Sequence, residues 1–593
     1  MAEQAKEHFP FEDSSLPTDE RVKDLLGRMT LEEKAGLMFQ NMAMFGPVDQ
    51  GAPVFGLPSL EEMITKDHMS YFNMVGTGKT GRDMAEWYNK AQHIALQQRL
   101  PIPLTISSDP RHSFTDNPGT GMLSGAFSQW PESLGLAALR DKETVKRYGD
   151  IVRQEYRAVG LSSALHPQID VMTEPRWARC NGTFGEDADL VSECTTAYIN
   201  GLQGEKLGPD SVAAMIKHFP GGGPEKDGED PHFDYGKDQV YPGNNLEYHL
   251  KPFKAAIAAG ATQVMPSYGR PVGTKYEEVG FAFNKGILTD LLRGELGFDG
   301  IICTDWGVLT DADMGGQFMA ARAWGAESLT RPEKMLKSLD AGADQFGGEL
   351  CSDVLVDLVK SGKVSESRLD ASVAKLLREK FILGLFEHPY VDADAADGIV
   401  GAPEFRGAGL AAQRGSLTLL KNDRGAGDSS LLPLREGVKV YAEGVDVEVL
   451  GKYATVVDSP DKVDVAILRV KAPYEHRPGA FEAMMHAGSL EFSDETIAHI
   501  AEVSKTVPTV IDLYLDRPAI VKPLVPLVTS LIVDYGACDE AVLDVLFGRD
   551  KPKGRLPFDI PSSMKAVEEA QSDVPFDTAD PTYHFGDGLG YER

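Results

Sequence analysis

Phe298-Asp299-Gly300-Ile301-Ile302-Cys303-Thr304-Asp305-Trp306-Gly307 is a short apolar run that ends on a carboxylate and an aromatic side chain. Gly300–Cys303 has the length and composition of a buried strand, and the Lys285–Leu296 pattern before it is helical. The same arrangement recurs along the chain. Ile102–Ile106 is followed by Asp109, and Ala213–Ile216 by Lys217 and His218. Thr262–Met265 and Ala343–Phe346 are further strand-like runs, and Leu246–Ala259 and Ser365–Leu383 are helical. This alternation predicts a parallel α/β architecture, a TIM-barrel-like (β/α)8 domain. The polar residues after its strands would meet at the carboxyl-terminal rim, where such barrels carry their sites.

Outward from this core, Thr30-Leu31-Glu32-Glu33 is a capping box that starts a helix behind the N-terminal arm. Residues 1–386 are read as the barrel domain. The stretch 387–407, rich in Pro, Asp, Ala and Gly, is read as a linker. Residues 408–593 form a second α/β unit, with strands at Val438–Val445, Val463–Val470, Thr509–Tyr514 and Thr529–Val533 and helices at Asp494–Val503 and Glu540–Phe547. The length of 593 residues corresponds to about three to four ordinary domains, or to two when one is a large barrel.

A formal charge of −31 disfavours nucleic acid and anionic membrane surfaces as partners. No run of about 18 uncharged apolar residues is present to span a bilayer. Met1–Asp24 lacks the apolar segment of a secretory signal, so the location is expected to be cytoplasmic and the sequon Asn181-Gly182-Thr183 idle. Five scattered cysteines, without metal-ligand spacing, read as buried thiols. Gly76-Thr77-Gly78-Lys79-Thr80 is half of a phosphate loop without its first glycine, and no dinucleotide, zinc-protease or nucleophile-elbow motif occurs. No cofactor and no metal is expected.

The blocks Val171–Val191, Lys217–Gly222 (KHFPGG), Val264–Tyr268 (VMPSY) and Phe298–Gly307 resemble, in order and spacing, the motif series of glycoside hydrolase family 3. Val545–Leu556 and Phe585–Tyr591 are similar to the end of that family's α/β sandwich domain. The resemblance spans nearly the whole chain. It implies a retaining exo-acting β-glycosidase, β-glucosidase-like, in a two-domain form without a fibronectin-like domain. The site would lie between the barrel and the sandwich, and the substrate would be a terminal β-linked sugar such as a β-glucoside or β-linked oligosaccharide. A homodimer is compatible with it.

The family's nucleophile maps onto Asp305, where attack on an anomeric carbon gives a covalent glycosyl-enzyme. Its sugar-binding set maps onto Asp109, Arg179, Lys217 and His218, with Tyr268 steadying Asp305 and Trp306 as a platform. A retaining enzyme also needs a general acid/base about 5–5.5 Å from the nucleophile. Glu475, on the loop after Val463–Val470, is the first choice, with Glu482 and Glu491 in reserve, since Ala472 stands where some relatives carry a glutamate. Gly222 occupies the place of the histidine found in the N-acetylhexosaminidase branch, and His232 is left as its substitute in space. β-Glucosidase is therefore preferred over β-xylosidase and β-N-acetylhexosaminidase. A phosphorylase or transglycosidase, or an inactive sugar-binding protein on the same scaffold, are the readings from other classes.

Overall fold

The computed structural model describes residues 9–114, 121–314, 316–423 and 430–591. The first eight residues of the polar N-terminal arm lie outside it. Eight parallel strands form the first sheet: β1 (Phe39–Met44), β2 (Tyr71–Val75), β3 (Thr105–Ser108), β4 (Leu161–Ala164), β5 (Ala213–Phe219), β6 (Gln263–Pro266), β7 (Ile301–Ile302) and β8 (Phe346–Gly347). They are ordered β8-β1-β2-β3-β4-β5-β6-β7. A parallel bridge between Cys303 and Gln345 joins the two ends, with Thr304 N donating to Gln345 O at 2.9 Å. The sheet therefore closes into the expected barrel.

The predicted helix at Lys285–Leu296 is present as Gly286–Glu295, but its turns are wide, Leu296 N reaching back to Leu291 O at 2.9 Å. Ser365–Leu383 appears as Glu366–Ile382 with Ser365 and Leu383 as its caps. Thr30 and Glu33 make the predicted capping box of the helix Leu31–Leu37. The glycine-rich stretch at 76–80 ends in another helix start, Thr80 capping Gly81–Leu96 through Asp83 N. That role accounts for Thr80 without a nucleotide.

In the second sheet β9 (Thr418–Asn422), β10 (Lys439–Glu443), β11 (Thr455–Val456), β12 (Val465–Lys471), β13 (Thr509–Tyr514) and β14 (Ser530–Asp534) are ordered β9-β14-β13-β12-β10-β11. Only β9 is antiparallel to its neighbour. Successive side chains of a strand face opposite sides. Here Ala466, Leu468, Ile511 and Leu513 enter one apolar cluster, while Val465, Ile467 and Val510 enter another. Both faces are thus covered, which makes the unit an α/β sandwich. Between the two sheets run the helices Ala393–Ile399 and Pro403–Ser416.

Four cysteines are buried as expected, whereas Cys538, at the N-cap of the helix Asp539–Leu546, is half-exposed; all five are free thiols. Asn181 is buried and its amide donates to Glu132 Oε1 at 3.0 Å. Among the described residues no helix is long and apolar enough to cross a membrane.

Candidate active site

The barrel interior is layered, and its uppermost layer carries the site. Leu165, Met215, Met265 and Cys303 form an apolar plug with Trp306 resting on it. Gly347 and Gly348 make room for the indole: a Cβ on either would come within 2.6 or 2.5 Å of Trp306. Asp305, two residues beyond the bridge at Cys303, is 8% exposed, and its Oδ1 accepts the Trp306 backbone N–H at 2.7 Å. Tyr268 follows β6, and its hydroxyl donates to Trp306 O at 2.8 Å. Burial, then the negative charge of Asp305, pushes the Tyr268 phenol well above its ordinary range, so it stays protonated beside that carboxylate.

Lys217 and His218 end β5 and face different partners. Lys217 Nζ donates to Asp109 Oδ1 at 2.8 Å, and Asn73 Nδ2 to Asp109 Oδ2 at 3.1 Å. Burial would raise the Asp109 carboxyl, but Lys217 and Asn73 hold it below the usual carboxylate range. His218 Nε2 lies 3.9 Å from Asp305 Oδ2, and its Nδ1 is 2.8 Å from Asp170 Oδ2. Asp170 Oδ1 also accepts the backbone N–H groups of His218 and Gly222, at 3.0 and 2.5 Å. Burial, then the positive charge of Arg179, lowers the His218 pKa, so the ring is neutral. With Nδ1–H given to Asp170, Nε2 is an acceptor. Arg179 is buried, and its Nε has no hydrogen-bond partner. A buried Nε–H left without a partner is a donor free to meet a ligand oxygen.

A cavity of about 990 Å³ opens at this rim, with Tyr268, Trp306, Arg322 and His232 in its wall. His232 packs edge-on against the Tyr268 ring at 4.7 Å, and its Nδ1 meets Asp230 Oδ1 at 2.5 Å. Asp230 Oδ2 accepts from Trp177 Nε1 at 2.9 Å.

The second domain closes the cavity with the loop after β12. Phe481 lines it and lies 5.4 Å from the His232 ring. The next residue, Glu482, accepts the Tyr235 hydroxyl of the barrel domain at 2.6 Å. Phe481 N donates to Gln317 Oε1 at 2.7 Å, and Arg477 makes a two-pronged pair with Glu229 at 2.6 and 2.8 Å. Glu475 is placed differently. It is exposed at the base of the loop, bridges to Ala487 through its backbone, and turns Oε1 to Ser489 N at 3.1 Å. Glu491 is also exposed, bridging to Ile520. Ala472 is buried.

The loop is pinned by Arg517, fully buried, whose Nη1 donates to Arg176 O and Gly488 O and whose Nη2 donates to Pro473 O, Ala487 O and Ser489 O at 2.8–3.1 Å. Neither Asp170 nor Arg517 is among the residues expected from the sequence. Asp170 stands one residue before the Val171–Val191 block, so its signal is within reach there. Arg517 finds its partners only through tertiary packing.

Residues 58–379 match the family model described as glycosyl hydrolase family 3 N terminal domain, and residues 450–591 match its C-terminal domain. The chain is similar to "Beta-glucosidase C" of Emericella nidulans, 53% identical over 587 residues, covering 98% of this chain and 94% of that protein. It is also similar to "Periplasmic beta-glucosidase/beta-xylosidase" of Dickeya chrysanthemi, 42% identical, covering 98% of this chain and 91% of that protein. Among solved structures, the β-glucosidase from Listeria innocua in complex with glucose superposes with a TM-score of 0.75 at 25% identity, covering 97% of this chain and 83% of that one.

Proposed function

Because the chain belongs to glycosyl hydrolase family 3, we propose that it is a retaining exo-β-glucosidase with Asp305 as nucleophile. The observation that carries the proposal is the rim cluster: a mostly buried carboxylate, an imidazole at 3.9 Å braced by Asp170, and a protonated phenol beside them. In this reading Asp109, Lys217, His218 and Arg179 bind the hydroxyls of the terminal glucose. Asp305 attacks the anomeric carbon as the glycosidic bond breaks, and a proton delivered to the leaving oxygen releases the aglycone. Water then takes the aglycone's place, giving its proton back to the same acid/base and releasing glucose with its configuration retained.

For the acid/base we prefer Glu482 to Glu475. Glu482 follows a residue of the cavity wall and is held toward the barrel by Tyr235, whereas Glu475 is occupied by Ser489 N in the loop's own hairpin. A second reading is favoured by one observation: His232 is itself in the wall and carries a carboxylate partner at 2.5 Å, the arrangement of a proton-transferring pair.

The 42% identical relative whose name includes β-xylosidase makes xyloside the first competing substrate. Nitrophenol release from aryl β-glucoside, β-xyloside and β-N-acetylglucosaminide tests the substrate class. Fastest turnover of the glucoside is expected. A faster xyloside or N-acetylglucosaminide reassigns the sugar, and no turnover by any of them removes the catalytic reading. A cytoplasmic location is part of the proposal, supported by five unbridged thiols. Cell fractionation tests it.

A further inference from the structure

Arg179 has no anchor of its own. Its side chain makes no hydrogen bond or ion pair among the described residues, so its place in the rim is set by the backbone that carries it, the loop between β4 and the helix Ala188–Gln203. The loop narrows to a neck where Met172 N donates to Gly185 O at 3.1 Å. Just beyond the neck stands Glu186, a buried carboxyl.

Hydrogen bonds run from both sides of this neck into the second domain. Glu186 N donates to Pro557 O at 2.9 Å, and the Glu186 carboxyl accepts Asp559 N at 2.9 Å and Phe576 N at 2.6 Å. Across the neck, Thr173 Oγ1 donates to Ser572 O at 2.5 Å. The fit is close. Gly185 has a φ of 109°, and a Cβ there would meet Pro557 O at 2.2 Å. Phe576 makes its bond to Glu186 with a φ of 56°, a left-handed conformation that is costly for a bulky side chain. The segment that Glu186 grips is itself seated on the barrel. Asp573, fully buried, accepts Gly243 N and Asn245 N at 2.8 Å each, and Asn245 caps the helix Leu246–Ala258. Residues 572–576 are thus a strap, held to the barrel by Asp573 and to the neck of the Arg179 loop by Glu186 and Thr173.

We propose that Glu186 is a positioning residue for the reaction: by gripping Asp559 and Phe576 of the second domain it fixes the neck of the loop, and through the loop the place of Arg179 against the sugar. The proposal rests on the β-glucosidase reading above and adds a residue to it. A carboxyl suits the task, because one group takes two backbone N–H groups that would otherwise be buried without acceptors. Burial lifts this carboxyl to about 8, so near neutral pH it is the neutral acid, of which glutamine is the nearest isostere. Arg179 contributes to sugar binding before the glycosidic bond breaks, so a displaced loop raises KM more than it lowers kcat.

Steady-state kinetics on an aryl β-glucoside test this. Glu186→Met, which fills the space and accepts nothing, should raise KM by about five- to fiftyfold with a smaller change in kcat. Glu186→Gln, which keeps one acceptor, should recover most of that loss. In an Arg179→Ala background, Glu186→Met should change kcat/KM by less than about twofold, because nothing remains to be positioned. If Glu186→Met does not fold, the same comparison is made with Thr173→Val, which severs the other side of the neck by one hydroxyl and should raise KM by about two- to fivefold. An unchanged KM, or a loss as large without Arg179 as with it, means that the tie only stabilises the fold; either result overturns the proposal while the β-glucosidase reading stands. Absence of glucoside hydrolysis by the wild-type protein removes both.

Discussion

His218 reaches toward Asp305, 3.9 Å away, with a ring whose other nitrogen is tied to Asp170 at 2.8 Å. The buried carboxylate of Asp170 therefore sets the tilt and tautomer of the imidazole beside Asp305, and it also holds the backbone at Gly222. Asp170→Ala leaves three donors without an acceptor. Turnover of an aryl β-glucoside should drop in kcat/KM by about 10–100-fold, and stability by about 2–4 kcal/mol. Steady-state kinetics and a urea titration measure the two effects. Wild-type values in both would mean that Asp170 neither orients the ring nor holds the loop.

Asp305→Ala should lower kcat by at least about 10⁴-fold while the near-UV circular dichroism stays that of the wild type. Azide supplied to this variant should yield the α-glucosyl azide, since a small nucleophile takes the carboxylate's place on the same face of the sugar and inverts it once. Retained hydrolysis would place the nucleophile elsewhere.

Removing the acid/base leaves a different signature. Glu482→Ala should slow substrates with poor leaving groups by about 10²–10⁴-fold and a dinitrophenyl glucoside far less, with azide giving the β-glucosyl azide. Glu475→Ala and His232→Ala should lack azide rescue. Rescue in either of those variants, and not in Glu482→Ala, transfers the role to that residue.

Glu349 gives a pH-dependent prediction. It is fully buried beside the cavity, its Oε1 accepting Leu309 N at 2.6 Å, and burial, tempered by Thr310 and Leu309, raises its carboxyl to about 7. An unfolded glutamate titrates at about 4.3. Between those values the folded chain keeps a proton that the unfolded chain has released, so this group's contribution is present below about pH 4 and declines until about pH 7. The decline is of the order of 3 kcal/mol. Glu349→Gln, neutral and still able to accept from Leu309, should show a flatter fall in Tm from pH 5 to 8. Parallel curves for the two proteins would assign the pH dependence to other groups.

Strands rich in aliphatic side chains are legible in the amino-acid sequence. Thr509–Tyr514 is read to the residue, and Ala213–Ile216 differs only in running on to Phe219. Phe39–Met44, Tyr71–Val75 and Leu161–Ala164 are not legible, because polar side chains interrupt their apolar runs. Those polar groups are satisfied inside the barrel, Gln40 Nε2 donating to Ser107 Oγ at 2.7 Å. The strand expected at Ile102–Ile106 begins later, at Thr105, since Pro101 and Pro103 flank a turn in which Ile102 N bonds to Leu100 O. The rim residues on barrel strand ends are readable because each lies in the last residues of its strand or within three residues beyond it. The second-domain loop is not, because hydrogen bonds from Arg517 and Tyr235, distant in sequence, fix its course.

The five carbonyls gathered by Arg517 belong to the backbone. They anchor both ends of the loop to the barrel without regard to the side chains carried between Pro473 and Ala487. The frame therefore keeps its seat whatever side chains the tip carries, and apart from Arg477 and Glu482, which reach the barrel themselves, the positions between its ends are the natural place to vary sequence when the enzyme is re-engineered.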